Sequence, residues 1–241
     1  MANKNVVFDI VGTLVSYDHL FDAIEARFGA DRLRAANINA KLLGYCWIEA
    51  AEREYTYLSL SGRYKPFYKL FEALFYRMLS YAGVADPHAF ATPADVEFLV
   101  AEWRKLGLRP GAAECVAKLR AAGFTVWCLT AADLARVQGY FRTAGVAMPA
   151  ENLVSCDSQG VAKPQPEAYA PLLQRLTTAD GARPWFAAAH MWDVSTARTV
   201  GFRGAYCTIL ESDPLHEIYG DMDAVDTTLP GMADKIIAAT K

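Results

Sequence analysis

Six side chains in this sequence are of the types that carry covalent hydrolysis: the carboxylates Asp9 and Asp193, the hydroxyls of Thr13 and Thr130, the ammonium of Lys163 and the imidazole of His190. Asp9 ends the apolar run "NVVFD", and burying an acid there is costly unless it is paired. Its plainer reading is a cap on the turn into Gly12-Thr13, a position that Asp favours. Lys163 precedes Pro164 and Pro166, which stiffen its loop. It is expected as the counter-ion that keeps Asp9 ionised, rather than as a solvated loop lysine. An ionised carboxylate so held is a nucleophile for covalent catalysis. Thr13 and Thr130 would orient it by hydrogen bonds, unless they satisfy only local backbone groups. His190 and Asp193 are candidates to handle the proton of an attacking water. Their plainer roles are a hydrogen-bonded core histidine and the N-cap of a helix starting at Val194.

The elements that must position these groups can be read from periodicity. Residues 5–10 form a strand apolar on both faces, as in parallel sheets. After residue 108, strand and helix patterns alternate. The strands "FTVWCLT", "NLVSC", "WFAAAH" and "GAYCTI" are separated by "RPGAAECVAKLRAAG", "DLARVQGYFRTAG", "KPQPEAYAPLLQRL" and "DVSTARTVG", which read as helices, and "GMADKIIAATK" reads as a terminal helix. Short connections between alternating elements predict βαβ units in a doubly wound parallel sheet, an α/β fold with a Rossmann-like core. In such a sheet, ligands bind beyond the carboxyl ends of the strands. Asp9 with Thr13, Thr130 with Ala131, Lys163, and His190 with Asp193 follow four different strands, so they are expected to converge.

Residues 16–107 differ. They carry long helical patterns rich in Tyr, Phe and Trp, such as "INAKLLGYCWIEAAEREYTYLSL" and "YKPFYKLFEALFYRMLSYAG", and predict an all-helical insertion. Most of its aromatics are expected in cores or at domain contacts. The predicted division is residues 1–15 plus 108–241 for the core and 16–107 for the insertion.

Bulk composition narrows the partners. The chain has 241 residues, 53% of them apolar and 21% charged, with net charge -3. A sizeable core is affordable and a nucleic-acid footprint is absent. The five cysteines are scattered without CxxC spacing, so reduced, buried thiols are expected rather than a disulfide framework or zinc site. No run reaches the ~20 apolar residues of a membrane span, and no signal peptide is recognised. The expected partner is a small-molecule substrate, without nucleic acid, membrane, metal or cofactor. A cytoplasmic location is the default, and a homodimer is compatible with the chain.

"FDIVGTL" resembles motif I of the haloacid dehalogenase superfamily. Thr130 at a strand end and "AKPQPEAY" with Lys163 and Tyr169 resemble its motifs II and III, and "FAAAHMWDVSTARTVGF" with Trp192-Asp193 resembles motif IV of its L-2-haloacid dehalogenase branch. "EYTYLSLSGRY" resembles that branch's helical cap, so the insertion is expected to be a cap domain. The resemblance implies that Asp9 attacks substrate carbon or phosphorus and forms a covalent intermediate. Phosphatases of the superfamily carry a second acid two residues on; here that position is Val11. A valine cannot protonate a leaving alcohol, so a halide, which needs no proton, fits better. The implied product is an alkyl-aspartyl ester on Asp9 that water then hydrolyses.

The resemblance also implies that Val11, Glu49, Arg53, Ala131, Tyr169 and Trp192 lie at the substrate. Several depart from the branch. Glu49 stands where the dehalogenases carry an arginine for the substrate carboxylate, with Arg53 and Arg63 the nearby cations. Ala131 replaces an asparagine, Ala188 a serine, and His190 an asparagine implied to assist the water. His190 is therefore expected to act as general base with Asp193 orienting it. The alternatives are a hydrolase or cyclase acting on a larger metabolite through another carbon electrophile such as an epoxide or ester, a phosphatase, and a non-catalytic binding protein of the same fold.

Overall fold

Six short segments pair into one sheet: β1 Asn5–Phe8, β2 Thr125–Thr130, β3 Leu153–Ser155, β4 Trp185–Ala188, β5 Arg203–Cys207 and β6 Ala224–Asp226. The structure, a computed structural model, describes residues 2–240. All pairings are parallel, in the order β3-β2-β1-β4-β5-β6. The chain builds outward from β1 through β2 and β3, then crosses back and builds the other way from β4. The order therefore reverses between β1 and β4, the switch point at which open α/β sheets bind ligands. Phe8 is in register with both Cys128 and Ala187, so the residues after β1 and β4 emerge side by side. The sheet and its helices form the α/β doubly wound core that the alternating pattern predicts.

Both faces of the sheet are covered. On one, Val7, Leu129, Phe186 and Tyr206 pack with Tyr169 and Leu172 of the helix Pro166–Leu176 and with Val194 of the helix Met191–Val200. The second helix approaches closely at Gly204, where a Cβ would meet the Arg198 side chain at 2.5 Å and Val194 at 3.0 Å. The helices Ala112–Ala121 and Leu229–Ala239 pack on each other, on β2 and on β5 respectively.

Two compact units divide the chain, one running through Ser16 and resuming at Leu108, the other Tyr17–Gly107. The second unit is helical throughout its regular structure, with Asp18–Phe28, Ala40–Leu60, Phe67–Tyr81 and Pro93–Trp103 as its longer helices. Its centre is aromatic. Trp47 stacks on Phe71 at 3.8 Å between ring centroids, Phe71 stacks on Trp103 at 4.6 Å, and the Trp47 indole N–H donates to the Phe71 carbonyl at 2.6 Å. These aromatics of the sequence stripes are core packing, whereas Tyr57, Tyr68 and Tyr81 are exposed. Among the described residues no helix is long and apolar enough to cross a membrane. The expectation of buried thiols needs one correction: four cysteines are buried, but Cys46 is exposed on the helix Ala40–Leu60.

Candidate active site

Asp9 follows β1 directly and its backbone N–H donates to Ala187 O at 3.1 Å, tying it to β4. The chain then turns. Gly12 takes φ +92°, which only glycine adopts readily, and closing hydrogen bonds run from Gly12 N to Val15 O and from Val15 N to Ile10 O, both 2.9 Å. The turn is clamped from outside by Arg109, whose guanidinium donates to Gly12 O at 2.8 Å and Thr13 O at 3.3 Å. It brings Thr13, four residues on, back to the carboxylate. The fully buried Thr13 hydroxyl donates to Asp9 Oδ2 at 2.7 Å and accepts the Ala189 N–H at 2.9 Å. One hydroxyl therefore joins the carboxyl end of β1 to that of β4.

Lys163, buried in the loop before the helix Pro166–Leu176, lies between two acids. Its Nζ donates to Asp9 Oδ1 at 2.8 Å and to Asp193 Oδ2 at 2.6 Å. It also stands 5.7 Å from the Phe186 ring centroid and 6.0 Å from that of Trp192, within cation–π range. The remaining oxygen of Asp193, Oδ1, accepts the Tyr169 hydroxyl. His190 places Nδ1 3.3 Å from Asp9 Oδ2 and packs at 5.6 Å against Trp192.

One cation shared by two buried carboxylates drives their proton affinities apart. Burial raises the Asp9 carboxyl, but Lys163 and His190 outweigh it and hold Asp9 below the usual carboxylate range. Burial, then repulsion from Asp9, pushes Asp193 up against the pull of Lys163. Burial alone would discharge Lys163; Asp193 and Asp9 reverse this and hold its ammonium above the usual lysine range. Burial and the neighbouring Asp193 keep the Tyr169 hydroxyl protonated well above its ordinary value. Asp9 is thus the more acidic member of a buried Asp–Lys–Asp row.

Five of the six side chains expected to converge do so around the Asp9 carboxylate: Asp9 itself, Thr13, Lys163, His190 and Asp193. Thr130 also ends its strand as expected, but its hydroxyl accepts the Ala132 N–H at 3.1 Å instead of reaching Asp9. This is the local backbone role, set by a sharp turn directly after β2. The expected His190–Asp193 base pair is corrected, because Lys163 and Tyr169 occupy both Asp193 oxygens and His190 faces Asp9. Asp193 is not a helix N-cap either. The helix begins at Met191, His190 is its N-cap residue, and Asp193 lies in the first turn. Tyr169, expected at the substrate, is fully buried in the core with its hydroxyl on Asp193.

Val11 and Ala131 stand half-buried just beyond β1 and β2, Trp192 half-buried beyond β4, and Ala188 is fully buried at the end of β4. Glu49 and Arg53 belong to the helical unit, exposed on the helix Ala40–Leu60. Two supporting residues escaped the sequence reading. Arg109 clamps the nucleophile turn through backbone carbonyls. Glu211 accepts the Met191 N–H at 2.8 Å and the Tyr206 hydroxyl at 2.9 Å, fixing the helix start beside His190. Neither carries a sequence signal, since the backbone groups they hold lie far away in the chain. Among the described residues no group of three or more His, Cys, Asp and Glu side chains is arranged to hold a metal ion.

Known proteins resemble this chain along most of its length. It is 29% identical over 214 residues to an (S)-2-haloacid dehalogenase of Xanthobacter autotrophicus, spanning 88% of this chain and 78% of that one. It is 26% identical over 201 residues to (S)-2-haloacid dehalogenase 4A of Burkholderia cepacia, spanning 81% and 79%. Its fold matches the structure of the L-2-haloacid dehalogenase from Xanthobacter autotrophicus with chloropropionic acid covalently bound, at a TM-score of 0.74 and 20% identity over 97% of this chain and 98% of that one. The family model for haloacid dehalogenase-like hydrolases matches residues 4–201. That stretch takes in β1 with Asp9, the helical unit, Lys163 and the helix that carries Asp193, and the chain belongs to the haloacid dehalogenase-like hydrolases.

Proposed function

We propose that this hydrolase cleaves the carbon–halogen bond of small 2-haloacids through an ester formed on Asp9. The carrying observation is the state of that carboxylate: buried, held ionised by Lys163, oriented by Thr13, and without a second acid at Val11. Such a group suits attack on carbon with departure of an anion that needs no proton. The names of the sequence relatives point to the same substrate class.

Oδ2 already accepts Thr13 and faces His190, whereas Oδ1 accepts only Lys163. Oδ1 therefore keeps the more accessible lone pair and is the attacking atom. It displaces halide from the α-carbon; the carbon–halogen bond breaks and an Oδ1–carbon ester bond forms. Oδ2 becomes the ester carbonyl. Water then adds to the Asp9 carboxyl carbon, with Thr13 stabilising the negative charge on Oδ2. His190 takes the proton of the water and returns it to the departing Oδ1, which leaves as the hydroxyl of the 2-hydroxyacid. Asp9 is regenerated with one oxygen from solvent, and the second proton of the water leaves its carboxyl for solvent, since Lys163 and His190 favour the ionised form. Asp193 and Tyr169 act through Lys163, holding its ammonium where Asp9 needs it.

The test is halide release from each enantiomer of 2-chloropropionate, with Asp9→Asn as control. The reading expects release from one enantiomer, abolished in the variant. Release from neither contradicts the haloacid assignment and moves the substrate to another carbon electrophile, such as an epoxide or ester.

A further inference from the structure

The backbone is held on both sides of His190. The residue before it, Ala189, donates its N–H to Thr13 Oγ1 at 2.9 Å. The residue after it, Met191, donates its N–H to Glu211 Oε2 at 2.8 Å. The His190 carbonyl accepts the N–H groups of Asp193 at 3.2 Å and Val194 at 3.3 Å. The peptide between His190 and Met191 is therefore fixed at both its N–H and its carbonyl.

This departs from ordinary helix capping, in which the N-cap residue uses its own side chain on the first N–H groups of its helix. His190 is the N-cap residue of Met191–Val200, yet its ring makes no capping hydrogen bond and stands 3.3 Å from Asp9 Oδ2. Glu211 takes over an N–H of the first turn, and its negative charge suits the helix N-terminus. Glu211 is itself held. Tyr206 is fully buried and in register with Ala188 at the end of β4, and it donates its hydroxyl to the same Oε2 at 2.9 Å. A turn closed by Ser212 N on Thr208 O at 2.8 Å carries Glu211 back from β5, and Thr208 N is tied to Asp226 O of β6 at 2.9 Å.

We propose that Glu211 is a positioning residue for ester hydrolysis, fixing through the Met191 N–H the direction in which the His190 imidazole approaches Asp9. This rests on the reaction proposed above, in which His190 takes the proton of the attacking water. Glu211 acts through the histidine. Displacement of halide by Asp9 needs no proton transfer, so Glu211 bears on the second half of the reaction and not on the first.

The experiment is rapid-quench halide release and intact-protein mass with 2-chloropropionate. In Glu211→Ala the first-turnover halide burst is expected to keep its wild-type rate. Hydrolysis of the alkyl-Asp9 ester is expected to slow by about ten- to a hundredfold, the cost of a slightly misplaced catalytic group, so the adduct accumulates. Glu211→Gln keeps an acceptor oxygen for the Met191 N–H and is expected to restore most of the rate. In a His190→Ala background Glu211→Ala is expected to add no further slowing, because residues that act as a unit are not additive. Circular dichroism confirms that each variant is folded. Equal slowing of both halves, a Gln variant as slow as the Ala variant, or full additional slowing on top of His190→Ala overturns the proposal. NMR reads the positioning without substrate. The His190 ring signal, assigned by its loss in His190→Gln, is expected to shift in Glu211→Ala and to return in Glu211→Gln. A wild type that releases no halide contradicts the reaction and leaves the ring signal to decide the positioning; a signal unmoved in Glu211→Ala overturns it.

Discussion

His190 Nδ1 lies 3.3 Å from Asp9 Oδ2, so the imidazole sits on the nucleophile itself. Asp193, the acid three residues further on, is instead held by Lys163 and Tyr169, one on each oxygen. Of the two groups that follow β4, the histidine is therefore the one whose side chain faces the Asp9 carboxylate.

His190→Ala separates the two halves of the reaction. Halide release in the first turnover persists, while hydrolysis slows by about 10²–10⁴-fold, the usual worth of general acid–base assistance. The alkyl-Asp9 ester then accumulates and appears as added mass on the intact protein. A variant that loses the halide burst and builds no ester contradicts this assignment.

Lys163→Met tests the buried row through stability. In the wild type the lowered Asp9 carboxyl contributes stability above the usual carboxylate pKa of about 3.9. That contribution is lost only as pH falls through the lower folded value. The raised Lys163 ammonium contributes below the usual lysine pKa, and this is lost only as pH rises through its higher folded value. Removing the lysine leaves two carboxylates buried together, at a cost of about 3–5 kcal/mol near neutral pH. Their carboxyls then titrate above the unfolded value, so the variant gains stability as pH falls toward 5. Melting curves at pH 5 and 7 check this. A deficit that does not shrink at the lower pH would show that the lysine contributes packing rather than charge.

Thr13 links two strand ends through one hydroxyl. Thr13→Val keeps the shape, removes the donor to Asp9 and leaves the Ala189 N–H unsatisfied. A destabilisation of about 1–3 kcal/mol follows, with loss of turnover. Thr13→Ser restores the hydroxyl and recovers most of both. Thermal melts and halide release on the two variants decide it; equal loss in both would mean that the methyl group, not the hydroxyl, matters.

The pH dependence of the first step follows from the same row. Asp9 is ionised and Lys163 protonated throughout about pH 5–9, since each is displaced away from that window. Rapid-quench halide release in a single turnover is therefore flat across it. An acid limb in that burst near pH 5 to 6 would place the Asp9 carboxyl above its usual range and contradict the electrostatics.

The sheet core was legible because its strands are continuous apolar runs, and five of the six are plain in the sequence. β6 is only "AVD", too short and too polar to stand out. Convergence of Asp9, Thr13, Lys163 and His190 could be read from strand ends because sheet topology does the positioning. The direction in which each side chain turns could not. Thr130 turns to the nearby Ala132 backbone, Asp193 lies inside a helix that starts three residues earlier than expected, and Tyr169 points into the core. The first is set by the local turn after β2, the others by contacts among groups far apart in the chain. Arg109 shows the same limit, since backbone carbonyls, its partners, are alike at every residue.

The most direct test of Asp9 as the covalent nucleophile is a single turnover of 2-chloropropionate with enzyme in excess, in H₂¹⁸O. Attack by Asp9 predicts that the 2-hydroxyacid carries unlabelled oxygen and that the peptide containing Asp9 gains one ¹⁸O. Label in the hydroxyl of the first-turnover product, with none in that peptide, would mean that water attacks the carbon directly and would contradict the account.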